Sequence, residues 1–238
     1  MTDTRTDEIL DNPVWAALAG PHREFAETHG RAARYQTDVA PFTCVRGDDD
    51  EGVWADLAAL VGPGATVAVT GTAAALPPGW TVENEIAGVQ LVDVGVEAAE
   101  DPEAVRLSAA DLPDMLSLVA RTQPGPFLRR TVELGTYLGI RRGGALVAMA
   151  GERLHPPGWT EISAVCTAPE VRGQGLATRL VRAVAAGIRA RDERPFLHAA
   201  ASNTGAIRLY ESIGFTLRRN TTFRAVRVPD STKPLRVA

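Results

Sequence analysis

Apolar and polar positions alternate with two different periods along this chain, and the period changes mark its elements. Runs with apolar residues every three to four positions predict helices at Pro13 to Ala19, Gly52 to Leu60, Ser108 to about Ala120, Leu176 to Arg191, and a segment around Ala206, Leu209, Tyr210 and Ile213. Arg23 to His29 and Phe127 to Leu134 read as short helical turns. β-branched or alternating runs predict strands at Asp38 to Arg46, Ala65 to Thr70, Trp80 to Ile86, Val89 to Val94, Thr136 to Arg141, Ala145 to Leu154, Trp159 to Thr167, Pro195 to Ala201 and Thr222 to Val228. Gly143-Gly144 suits a hairpin turn, and Ser108 with Asp111 suits a capping box. Gly214 suits a helix stop. The mixture of helix and strand patterns places the chain among α/β proteins in the broad sense.

An acidic, proline-ended segment, Val96 to Pro102, divides the pattern into two regions, 1–98 and 103–238. The acidic run Asp48-Asp49-Asp50-Glu51 fits a solvated helix approach. A net charge of −4 gives no general attraction to nucleic acid or to an anionic membrane. Cys44 and Cys166 stand far apart and form no metal spacing, so no metal is expected. No apolar run approaches the ~20 residues of a membrane helix, and the polar start of the chain does not read as a signal peptide, so the expected location is the cytoplasm.

The segment Val165-Cys166-Thr167-Ala168-Pro169-Glu170-Val171-Arg172-Gly173-Gln174-Gly175-Leu176-Ala177-Thr178 carries the chemistry. A strand, a glycine loop and a helix start follow one another there. The first turn of a helix has unpaired N–H groups and a partial positive charge. Glycines let the backbone approach an anion, and Arg172 adds a charge-assisted contact. No Gly-Lys-Ser/Thr follows, which excludes a Walker loop, and no third glycine completes a dinucleotide fingerprint.

Arg172-x-x-Gly175-x-Ala177, followed by Asn203…Ala206…Leu209-Tyr210…Gly214-Phe215, resembles the two conserved segments of the GCN5-related N-acetyltransferase (GNAT) superfamily. The likeness covers roughly 103–223 and is nearest to the C-terminal domain of glycine N-acyltransferase-like proteins. It implies the GNAT fold, an α+β mixed sheet with flanking helices, and acetyl-coenzyme A as acyl donor. The coenzyme-binding positions it implies are Val165, Cys166, Thr167, Arg172, Gly173, Gln174, Gly175, Leu176, Ala177, Thr178, Asn203, Ala206 and Tyr210. The first region, which lacks a Gly-x-Gly loop, reads as a degenerate relative of the second.

Transfer from a thioester to an amine raises two proton problems. An amine of pKa near ~10.4 must become neutral, and the leaving thiolate needs a proton or a donor. Glu161 is the candidate base, with Glu152 on the neighbouring strand as its rival. Tyr210 is the candidate acid beside the sulfur. Asn203 suits either a helix cap or a contact to the coenzyme. Cys166 and His198 read as core residues, and His22, His29 and His155 as turn or surface residues. The acceptor is a small-molecule or peptide amine. A coenzyme-binding module without catalysis, a longer acyl donor and an oxygen acceptor stay open.

Overall fold

The computed structural model describes residues 8–47, 52–70, 72 and 75–230. The Asp48–Glu51 run lies outside the described residues. Five α-helices are present among them: α1 Pro13–Ala19, α2 Gly52–Val61, α3 Leu112–Thr122, α4 Leu176–Arg189 and α5 Thr204–Ser212. The eleven strands are β1 Ala26–His29, β2 Ala32–Tyr35, β3 Phe42–Val45, β4 Thr66–Thr70, β5 Thr81–Asp93, β6 Val105–Leu107, β7 Tyr137–Arg142, β8 Ala145–Glu152, β9 Trp159–Thr167, β10 Arg194–Ala200 and β11 Phe215–Arg227. They form one mixed sheet in the order β1-β2-β3-β4-β11-β5-β10-β9-β8-β7-β6.

The position of β5 is the main topological fact. It belongs to the first half of the sequence, yet it lies between β10 and β11 of the second half. It pairs antiparallel with β11 along its whole length and with β10 from Gly88 to Val92. The sequence suggests two strands here, Trp80 to Ile86 and Val89 to Val94. The structure shows one. Gly88 is the reason for the difference. It is not a turn, because a Cβ there would collide with the Phe223 ring on β11. The glycine makes room for an aromatic inside a continuous strand.

Other local differences have similar causes. The Arg23–His29 turn becomes a short 3-10 turn and then β1. The Phe127 to Leu134 helix reduces to a 3-10 turn at Thr131–Leu134. β11 begins at Phe215, because its polar stretch Arg218-Arg219-Asn220 still pairs with Gln90 and Val89 of β5. The capping box at Ser108 and Asp111 is present and starts a 3-10 turn that runs into α3. Gly214 does end α5, at φ +105°, where a Cβ would also strike the backbone of Gly95.

Helix α4 buries Leu176, Leu180, Val181, Val184 and Ile188 against β7, β8, β9 and β10. Each such side chain contributes roughly 1.5–3 kcal/mol on leaving water. The outer face of α4 holds the acidic connector. Arg179 pairs with Asp101 and Glu103, Arg182 with Glu97, and Arg189 with Asp93 and the Val96 carbonyl. The acids of that segment thus complement one helix face. The exposed pairs of Glu97 and Glu103 are individually worth under ~1 kcal/mol and guide the connector more than they stabilise it. A second apolar cluster, with Leu10, Val14, Tyr35, Trp159 and Phe196, joins α1 and β2 to the opposite sheet face.

His22 is buried in this second layer, not on the surface as its turn-like setting suggests. Its Nδ1 lies 2.7 Å from the Tyr35 hydroxyl, and its ring centre lies 4.9 Å from that of His155, with the two rings tilted by 50°. Burial, and then the neighbouring His155, push its pKa down from 6.5 to about 4. The folded state therefore resists protonation that the unfolded chain accepts. Stability from His22 is full above pH ~6.5 and is lost as the pH falls toward 4, by about 3 kcal/mol below both values. Thermal melts between pH 7 and pH 4 are expected to show this loss, and His22→Gln to reduce it. An unchanged pH slope in that variant would assign the loss elsewhere.

Candidate active site

The site forms where β9 and β10 separate. Their parallel pairing runs from Trp159–Arg194 to Glu161–Phe196 and then stops, while β10 continues to Ala200 and β9 to Thr167. A bulge in β9 aids the separation. The register against β8 shifts between Met149–Cys166 and Gly151–Ser163, so Ala150 faces both Ala164 and Val165. Ala164 takes φ +52°, a left-handed conformation costing an alanine roughly 1–2 kcal/mol. The opened strands border a cavity of about 1090 Å³.

One wall of the cavity contains the predicted phosphate loop. Val165, Cys166, Thr167, Arg172, Gly173, Gly175, Leu176, Ala177, Asn203, Ala206 and Tyr210 all line it. Gln174 and Thr178 are not part of the lining. Gly173 and Gly175 have φ +78° and +73°, and no atom lies within 4 Å of where their Cβ atoms would be. The loop therefore presents bare backbone to open space just before α4. Arg172 reaches back to the Thr167 carbonyl at 3.3 Å. Thr167 Oγ1 is buried with no hydrogen-bond partner in the protein. An exposed loop backbone, a helix N-terminus, a nearby cation and an orphaned hydroxyl fit a phosphate-bearing, amide-rich ligand such as coenzyme A. Asn203 caps α5 by accepting from the Ala206 N–H at 3.2 Å, and it lines the cavity as well.

Tyr210 is 7% exposed and faces this wall. Burial, and then the proximity of Cys166, raise its pKa to about 12. Against a thiol near ~8.5, full proton transfer from this hydroxyl to a thiolate would be uphill by roughly 5 kcal/mol. The hydroxyl is better suited to donate a hydrogen bond to developing negative charge while keeping its proton. Cys166 belongs to the apolar core as expected, 6% exposed, and also touches the cavity.

The opposite wall comes from the other sheet face and from the first half of the chain: Phe42, Val69 and Thr70 stand beside Arg153, His198 and Phe223. Glu161 is not part of either wall. Its side chain is fully buried. Arg153 Nε and Nη2 donate to its two oxygens at 2.8 and 2.7 Å, and His198 Nδ1 lies 2.7 Å from Oε1. Burial alone would raise its pKa, but the charge and hydrogen bonds of Arg153, with help from His198, outweigh that and hold it at about 2. An ionised carboxylate with both oxygens engaged has no opening to the cavity, so direct contact with an amine, as the sequence suggests, does not fit its position. Glu152 is also outside the cavity lining. It accepts from Arg191 Nη2 at 2.9 Å and from the Thr136 N–H at 3.0 Å.

His198 is the imidazole that the sequence reading left in the core, and the structure gives it a cavity face. The ionised Glu161 requires the proton on Nδ1. Gln90 Nε2 lies 3.1 Å from Nε2, while Gln90 Oε1 accepts from Arg218, so the amide donates to the ring. Both ring nitrogens are thereby held in one tautomer. A signal for this group existed in the sequence. Glu161 lies mid-strand, on the same side as Trp159, and Arg153 sits across the His155–Gly158 turn from it. The hairpin register confirms that placement through the Arg153 N–H to Glu161 carbonyl bond of 3.0 Å.

The comparisons agree with the geometry. The FR47-like protein family model matches residues 137–224. A solved GNAT-family protein from Novosphingobium aromaticivorans DSM 12444 is 41% identical; the match covers 94% of this chain and 99% of that one, with a TM-score of 0.83. A GCN5-related N-acetyltransferase from Kribbella flavida shares the fold at 16% identity, covering 92% and 96% of the two chains, with a TM-score of 0.57. None of the curated proteins matches. The chain belongs to the GNAT family of acetyltransferases.

Glu161→Gln removes the counter-charge of a buried arginine. It is expected to cost about 3–5 kcal/mol in denaturant unfolding. Because the folded pKa is depressed, the wild-type contribution is present above pH ~4.5 and fades toward pH 2. The variant is expected to lack that acid limb. A loss below 1 kcal/mol would show that Arg153 is hydrated and does not depend on Glu161.

Proposed function

We propose that the protein moves an acetyl group from acetyl-coenzyme A to a primary amine of a small molecule or peptide, by direct attack within a ternary complex. The observation that carries this reading is a single cavity with two chemically different walls. One is a glycine loop at a helix start, and the other is an apolar and cationic surface drawn partly from the first half of the chain. Two ligands can meet there across the opened strands.

The coenzyme supplies the activated acyl group. Arg172 and the N–H groups from Gly173 to Ala177 bind its phosphates, and the backbone of Val165 to Thr167 offers strand-like pairing to its amide arm. Tyr210 Oη–H donates a hydrogen bond toward the sulfur as charge builds there. Glu161 acts by position. It holds Arg153 and fixes the tautomer of His198, both of which face the acceptor side. With no carboxylate among the described lining residues, the amine's proton goes to water, and the cationic wall favours the neutral amine that attacks. The same lack of a lining carboxylate favours a second reading, a coenzyme-binding module without turnover. Acetylation of any amine at a measurable rate would remove that second reading.

Gly175→Glu adds a negative side chain to the loop and a left-handed strain of only ~1–2 kcal/mol. Calorimetry is expected to show loss of coenzyme A binding with a nearly unchanged fold. Retained affinity would refute the phosphate assignment. Tyr210→Phe is expected to keep coenzyme affinity and to lower kcat by about 10- to 100-fold, the worth of one hydrogen bond to a charged group. Full activity in that variant would remove Tyr210 from the mechanism.

A further inference from the structure

One donor of the acceptor wall's guanidinium is left over by the contacts that hold it. Arg153 Nε and Nη2 are committed to Glu161, and no described residue takes up Nη1. Arg153 lines the cavity, and its guanidinium sits 5.0 Å from the centre of the Phe42 ring. Phe223, which also lines the cavity, stands edge-on to His198 at 6.0 Å. Asp and Glu are absent from the described lining, whereas Arg153, Arg172 and Arg224 are all present. Arg224 is paired with Glu85, and Arg172 belongs to the loop wall, which leaves Arg153 as the cation presented beside the Phe42 ring in a cavity that Phe223 also lines.

Resting on the acetyl-transfer reading, we propose that the acceptor is an amine that also carries a carboxylate and an apolar body, the chemistry of a hydrophobic amino acid. The carboxylate accepts from Arg153 Nη1, and the apolar body packs on the apolar lining that includes Phe42 and Phe223. The fixed geometry of Arg153 supports this, because Glu161 orients the guanidinium before any ligand arrives and little entropy is lost on binding. A polycationic acceptor is disfavoured, since no lining carboxylate would compensate its charges. Glycine has the right charges but no apolar body to bury against that lining.

The test uses the full-length protein saturated with coenzyme A. Calorimetric titrations compare leucine and phenylalanine with their carboxamides, with glycine and with spermidine. The acids are expected to bind about 10- to 100-fold more tightly than the amides, which lack the charge. Phenylalanine is expected to exceed glycine, and spermidine to give no heat. Arg153→Lys keeps a counter-charge for Glu161 but loses the fork. It is expected to reduce the acid-to-amide ratio about tenfold while coenzyme affinity stays unchanged. Equal binding of acids and amides, preferential binding of spermidine, or no binding by any member would overturn the proposal. If Arg153→Lys does not fold, the wild-type ligand ratios decide. Acetyl transfer is then assayed with the same panel by release of the coenzyme thiol. Binding of the acids with no transfer would refute the N-acetyltransferase reading and leave the carboxylate pocket. Transfer to amides or polyamines without acid preference would do the reverse.

Discussion

Everything functional in this fold depends on three residues of parallel pairing between β9 and β10, and on their end at Glu161 and Phe196. If the strands stayed paired to Thr167 and Ala200, the sheet would be closed and no ligand could reach its middle. Parting them leaves backbone N–H and C=O groups without ladder partners, which is costly in a buried setting unless something else satisfies them. The bulge at Ala164 and the orphaned hydroxyl of Thr167 lie on that unzipped stretch. Its polar groups are thus held ready for an occupant with amides of its own.

The last joined position carries the strongest buried charge group of the site. Glu161, Arg153 and His198 come from β9, from the turn after β8 and from β10, so one cluster binds the three strands around the opening. Such a cluster gains little net stability over an apolar core, because desolvation offsets much of the attraction. Its worth here is positional. It holds a guanidinium and an imidazole rigidly at the rim, while Gln90 and Arg218 extend the hydrogen-bond chain through β5 and β11.

The sequence made the loop legible, because glycine at positive φ, a β-branched run and helical periodicity are all local signals. Gly173, Gly175, Gly214 and the capping box at Ser108 took their places for the reasons their residue types suggest. What was not legible depends on distant partners. The interruption between Trp80 to Ile86 and Val89 to Val94 reads as a break between two strands until Phe223 is known to lie against Gly88, and His22 reads as exposed until the sheet face above it is known. Glu161 shows the same limit most sharply. Its residue type and strand suit a base, but Arg153 and His198 bury it completely. The cavity wall from Phe42, Val69 and Thr70 had no code in the sequence, since apolar strand residues look alike whether they face a core or a ligand.

The position of β5 also bears on how the molecule comes to exist. It is made early and must lie between two strands that are made last, so its pairings join residues up to well over a hundred positions apart. Contacts of such high sequence separation close late and slowly, because chain entropy is lost before they stabilise anything. On a ribosome the first half would emerge with the long edge of β5 unpaired, and that edge is open to wrong partners until β10 and β11 arrive. The two walls of the cavity therefore come together only late in folding, when β10 and β11, both from the last part of the chain, take their places on either side of β5.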